Sequence, residues 1–267
     1  MLIPIRDENP TRRTAVVTLG LIALNVVAFL LWEPTFKSEG VQQTFFFCHA
    51  EIPWETTHQT TLGEGGAEAR RALEDQLHLS SAQAASFQAA YRKQCGDKSW
   101  WQSIFVAMFL HGGWLHIGGN MLYLWIFGNN VEDKIGRLKY VAFYFISGIT
   151  AAALQTATSP NSVVPSLGAS GAIAGVLGAY IVMFPRRRVL SIVPIFFFFS
   201  LIALPAVVVL GFWFVLQFFS GTTTLAQHVT GGVAYFAHIG GFVTGVVAAL
   251  LFFPKEWRRP RPEPLSW

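Results

Sequence analysis

Apolar residues in this chain come in long runs, too long for the period-two alternation of a half-buried strand. Short connections marked by Gly, Pro, Asn and basic residues separate them. At about 20 residues per membrane crossing, the runs predict a first span over residues 14–32 and a second from about 113 to 127. A third follows at about 140–156, and a fourth at 170–184 stops at Pro185 and three arginines. Residues 189–219 are too many for one straight span, and Pro194 and Pro205 divide them. The expectation there is an interfacial segment followed by a fifth span near 201–219, with a sixth at about 231–253. The predicted fold class is an all-α membrane protein, a bundle of six transmembrane helices.

One connection breaks the pattern. Residues 33–99 form a long, polar outer loop between spans 1 and 2. Within it, 67–91 scatter Leu73, Leu77, Ala84 and Phe87 among Arg, Glu and Gln, which predicts one or two surface helices. Residues 100–110 are aromatic and amphipathic and are expected at the membrane interface.

Composition strengthens the membrane reading, since 52% of residues are hydrophobic and only 13% charged, against roughly 25% in soluble domains. The net charge of +4 comes from short clusters at span ends, so no long basic face exists and no nucleic-acid partner is expected. Arg12, Arg13, Lys134, Arg137, Lys139, Arg186–Arg188, Lys255, Arg258 and Arg259 all fall on one face, whereas 159–166 and 220–230 on the other carry no charge. Positive-inside orientation then puts both termini in the cytoplasm, the expected location being a cell membrane, the bacterial inner membrane. The apolar run at 15–32 exceeds a signal-peptide core and lacks a cleavage pattern, so no cleavable signal is expected. The resulting layout is a cytoplasmic tail at 1–13, a membrane domain at 14–253 and a basic, proline-rich tail at 254–267 expected to be disordered. The loop at 33–99 lies outside, with both cysteines, Cys48 and Cys95; they form a disulfide stapling the insertion, or stay as two free thiols.

The spans hold no Asp, Glu, Lys or Arg in their interiors, so the polar groups that remain are conspicuous. Ser170 opens the fourth run, which at ~1.5 Å per residue is only about 22 Å long against a ~30 Å hydrocarbon core. With Phe184 at one face, Ser170 lies ~8–10 Å below the other; His238, seven residues into a helix entering from outside, lies about 10 Å down. His116 and Asn120 are four apart on one helical face, and His111 lies just above them. Gly171, Ala174, Gly175 and Gly178 on one run, and Ala234, His238, Gly241 and Gly245 on another, form small-residue faces that allow close approach. Each feature has a bland alternative: a capping serine, a histidine bonded to a carbonyl, ordinary helix packing. Together they fit a Ser170–His238 dyad without a carboxylate. The Ser170 backbone N–H, Asn120 and His116 would be the oxyanion donors. No HExxH pair and no intramembrane aspartate pair is present, so neither a metal nor any other cofactor is expected.

Gly168-Ala169-Ser170-Gly171, His116-xxx-Asn120 and Ala237-His238-Ile239-Gly240-Gly241, each on its own span, make the chain resemble the rhomboid family of intramembrane serine proteases over about residues 100–253. The resemblance implies a six-helix fold in the lipid bilayer and cleavage of other proteins' transmembrane segments. It matches Ser170 to the nucleophile, His238 to the general base, and His116 and Asn120 to the oxyanion pair. His111 matches an accessory histidine and Glu132 a glutamate of structural or gating role. Gly241 and Gly245 match glycines where the sixth helix packs on the fourth, and the fifth span matches a movable gate. Three departures stand out: Ala174 replaces a tyrosine that stacks on the histidine in some members, Trp100-Trp101-Gln102 replaces a Trp-Arg pair, and the 33–99 loop is longer than the compact form. The rival expectations are a non-catalytic rhomboid-like protein that binds membrane helices, and a transporter or structural bundle.

Overall fold

The computed structural model describes residues 3–195, 198–226 and 233–254 of the chain. Strand β1 (Ile3–Asp7) precedes α1 (Val16–Val27), which continues as a π-helical turn, Ala28–Trp32. The insertion holds α2 (Glu39–His49), α3 (Pro53–His58), α4 (Gly66–Leu77) and α5 (Ser81–Gln94). Then come α6 (Trp100–Ala107) and α7 (Trp114–Tyr123), which runs through a π turn into α8 (Asn129–Ile135). The rest is α9 (Arg137–Thr158), α10 (Ser170–Met183), β2 (Arg188–Ile195), β3 (Phe198–Pro205), α11 (Ala206–Ala226) and α12 (Tyr235–Leu251).

Helix α10 is the centre of the molecule. Every residue from Gly171 to Tyr180 is buried, which explains why it is apolar on all faces. It packs between α9 and α12, and the glycines set the distance. A Cβ on Gly241 would collide with the carbonyl oxygen of Gly171, and one on Gly245 with that of Gly175. Small residues here let two backbones touch, as helix association in lipid requires. The opposite surfaces are unlike those of a water-soluble protein. Val207, Phe212, Val215, Leu216 and Phe219 of α11 and Val243, Val247, Leu250 and Leu251 of α12 are exposed. By length and composition α9 and residues 206–224 of α11 can cross a membrane, while residues 16–32, α10 and α12 form shorter apolar helices.

Two expectations need correcting. The fifth long helix does not begin near 201: β2 and β3 pair as an antiparallel hairpin from Arg188↔Pro205 to Ile195↔Phe198, so that helix begins at Ala206. The prolines are compatible because Pro194 lies beyond the reach of β1, whose last partner is Ile192, and Pro205 ends β3. Second, the first thirteen residues are not simply a tail, since β1 adds to that hairpin as a third strand. The class is mostly helical, in keeping with the all-α expectation, with one small three-stranded sheet among the described residues. Gly231 at the expected start of the sixth span, and nearly all of the 254–267 tail, lie outside the described residues.

The insertion has a core of its own, in which Ile52, Trp54, Leu62, Ala69, Leu73, Ala84 and Tyr91 are buried. Cys48 and Cys95 are joined by a disulfide that ties α2 to the end of α5. Inside, Lys98 Nζ pairs with Glu55 Oε2 at 2.8 Å, and Tyr91 Oη donates to Glu55 Oε1 at 2.6 Å. Burial pulls the Lys98 ammonium below its usual range, while Glu55 beside it acts in the opposite sense. Nearby Glu51 is pushed up to about 7 by burial, although Thr56 and Thr156 each donate a hydroxyl to its Oε1 at 3.0 Å.

Candidate active site

Ser170 is the first residue of α10, and the backbone before it needs glycine. Gly168 has φ +124°, a Cβ there would meet His116 Nε2 at 2.8 Å, and its N–H is pinned to the Ala107 carbonyl at 2.8 Å. The close α10–α12 approach brings His238 onto the serine, with Ser170 Oγ 2.8 Å from His238 Nε2. The other ring nitrogen, Nδ1, lies 2.8 Å from Gln217 Oε1 on α11. An amide oxygen can only accept, so Nδ1 carries the proton and Nε2 presents its lone pair to the serine hydroxyl. Trp213, one turn earlier on α11, lies against the ring at 5.7 Å between centroids.

A second pair faces the same space. His116 Nδ1 accepts the Gly112 N–H at 3.2 Å, which leaves the proton on Nε2, the nitrogen turned toward Gly168. Asn120 is buried, and its Nδ2 makes no hydrogen bond among the described residues. Ser170, His238, His116 and Asn120 all line one cavity of about 970 Å³. A nucleophilic oxygen, a proton acceptor bonded to it and two or three donors for a developing oxyanion are the parts acyl transfer requires.

The remaining candidates are structural neighbours or lie elsewhere. His111 is buried edge-on to His116 at 5.2 Å, and its backbone N–H donates to Glu33 at 3.1 Å. Burial pushes the Glu33 carboxyl up to about 7. Glu132 sits away from the cavity and caps α1, accepting the Val17 N–H at 3.0 Å and the Thr18 N–H at 2.7 Å. Gly171, Gly241 and Gly245 belong to the helix contact. Among the described residues no cluster of three or more His, Cys, Asp or Glu is placed to hold a metal. Gln217 and Trp213 were not singled out from sequence. The available signal was slight: Gln217 is the one polar side chain in the run 206–219.

Comparison with known proteins agrees with the resemblance. The family model described as the Rhomboid domain matches residues 97–255, more than half of the chain. The Saccharomyces cerevisiae "Rhomboid protein 1, mitochondrial" is 33% identical over 153 residues, 54% of this chain and 40% of that protein. The Bacillus subtilis "Rhomboid protease GluP" is 30% identical over 173 residues, 64% of this chain and 30% of that protein. The Mus musculus "Presenilin-associated rhomboid-like protein, mitochondrial" is 27% identical over 172 residues, covering 61% and 41% respectively. The chain thus spans less than half the length of these relatives.

Proposed function

The chain belongs to the rhomboid family, whose members are embedded in membranes, and from that premise we propose that it is an intramembrane serine endopeptidase. The observation that carries this reading is the hydrogen-bonded line from Ser170 Oγ through His238 to Gln217 Oε1, both links 2.8 Å long. Ser170 Oγ attacks the carbonyl carbon of the scissile peptide bond as its proton passes to His238 Nε2. The oxyanion accepts from the Ser170 backbone N–H, Asn120 Nδ2 and His116 Nε2, and the first N–H groups of a helix have no intrahelical partner. His238 then protonates the leaving amine as the C–N bond breaks, leaving an acyl ester on Ser170. Water, deprotonated by the same imidazole, hydrolyses that ester and restores the serine.

No carboxylate takes part. Gln217 is a positioning residue: it holds the imidazole in the tautomer whose Nε2 is basic, a role that an aspartate fills in a triad. It also answers the absence of an aromatic at Ala174, because ring orientation comes from Gln217 and Trp213 on the neighbouring helix.

The substrates are transmembrane segments of other proteins. A helical peptide bond in lipid is protected by its own hydrogen bonds, so helices that unwind readily near small residues are preferred. Six spans, with both termini cytoplasmic and the insertion outside, place Ser170 below the outer surface; α10 is short enough to leave room above it for water. The host membrane is the bacterial inner membrane.

A serine-reactive fluorophosphonate tests the nucleophile directly. Mass spectrometry is expected to find the adduct on Ser170, with labelling lost in His238→Ala. An unlabelled Ser170 in the folded protein favours a non-catalytic, helix-binding rhomboid-like protein instead.

A further inference from the structure

The cavity at Ser170 is not closed by the apolar helices alone. Its wall also carries Phe46 of α2, Pro53 of α3 and Gln76 of α4, all from the insertion. The insertion in turn grips the segment leading into the serine. The Ser166 N–H donates to the Glu51 carbonyl at 2.7 Å, and the Trp54 N–H to the Ser162 carbonyl at 2.9 Å. Gln76 uses both ends of its amide on this segment: Nε2 donates to the Asn161 carbonyl, and Oε1 accepts the Val163 N–H at 3.1 Å. Val163 itself is fully buried in the insertion's core. Six residues therefore separate a knob locked in the insertion from the Ser170 hydroxyl.

The chemistry of this wall is specific. Among the described residues lining the cavity there is no Asp, Glu, Lys or Arg. The buried acids of the insertion are already engaged, Glu55 with Lys98, and Glu51 with Thr56 and with Thr156 at the end of α9. A charged side chain entering here would lose hydration and meet no counter-ion. A cavity of about 970 Å³ that reaches from Ser170 to the insertion has room for more than one residue of an extended chain.

Resting on the proteolytic reading above, we propose that the disulfide-stapled insertion is the outer wall of the substrate cleft. There it selects an extended, uncharged stretch of the substrate lying outside the bilayer beside the scissile bond. Phe46 and Pro53 form the selecting surface. Gln76 is a positioning residue that holds the 161–163 backbone in the shape the cleft needs.

The test measures binding on full-length Ser170→Ala protein in lipid nanodiscs, so it does not depend on hydrolysis. The probes are three fluorescent synthetic transmembrane peptides: one with an uncharged outer flank, one with Asp scanned along that flank, and one with the flank trimmed. The uncharged flank is expected to bind about 10-fold or more tightly than the most sensitive Asp peptide. Phe46→Ala on this background is expected to shrink that preference about 3- to 10-fold. Gln76→Ala weakens binding of the flanked peptide and speeds amide exchange over 159–166, with the Cys48–Cys95 disulfide retained by mass. Equal binding of the three peptides, strong or weak, overturns the proposal; so does an unchanged preference in both Phe46→Ala and Gln76→Ala. Discrimination by a chain that never cleaves would support this role for the insertion and remove the protease reading instead.

Discussion

Gln217 supplies an acceptor to His238 at 2.8 Å without supplying charge. A net hydrogen bond of about 1–1.5 kcal/mol, lost where it fixes a tautomer, corresponds to about a tenfold fall in kcat. Gln217→Leu is therefore expected to lower kcat about tenfold while KM and thermal stability stay close to wild type. Gln217→Glu keeps an oxygen acceptor and restores much of the rate; equal losses in both variants would mean that the amide only packs. At this scale the sequence was informative where chemistry is rare. A serine before a short apolar helix and histidines in spans without carboxylates stand out by cost alone. Gln217 did not, because one amide in an apolar run has no partner at any fixed spacing. Its partner is 21 positions away on another helix.

Among elements, the α10–α12 contact decides whether Ser170 and His238 can meet. Gly241 meets the Gly171 carbonyl oxygen one residue beyond Ser170, so any side chain there pushes α12 and His238 away from the serine. Gly241→Ala is expected to cost about 1–3 kcal/mol, read as a lower melting temperature in detergent, together with slower fluorophosphonate labelling. An alanine that left both unchanged would contradict the packing described here. The small-residue pattern made this contact legible, and the apolar helices α1, α9, α10 and α12 follow the hydropathy runs to within a few residues. The hairpin of β2 and β3 was not legible. Arg188–Pro205 is apolar on both faces, so the alternation that betrays a half-buried strand is missing, and the proline breaks were read as helix boundaries.

Across the whole molecule, the insertion and the apolar helices meet at Glu51. Its carboxyl accepts from Thr56 inside the insertion and from Thr156 at the end of α9. Burial raises its folded pKa from the ordinary 4.5 to about 7, so the folded state holds the proton more tightly than the unfolded chain. The associated stability is fully present below pH 4.5 and is lost as pH rises through about 7. Glu33, raised to about 7 as well, acts in the same direction. Glu51→Gln is expected to flatten the fall in melting temperature between about pH 5 and about pH 7.5, and an unaltered slope would assign the dependence to other groups. Two cysteines confined to one long loop pointed to a stapled insertion. Its docking on residues 159–166 was hidden, because two of its hydrogen bonds join backbone to backbone whatever the side chains, and Gln76 finds its partners 85 and 87 positions away.

All three scales converge on one oxygen atom. Purified wild-type and Ser170→Ala proteins, reconstituted in liposomes with a single-span reporter, give the most direct measurement. Wild type is expected to release the reporter's outer fragment by a cut within or at the edge of its span, and Ser170→Ala none above background. Equal release by the two proteins, or no release by a wild type that binds the reporter, would contradict the assignment of Ser170 as nucleophile.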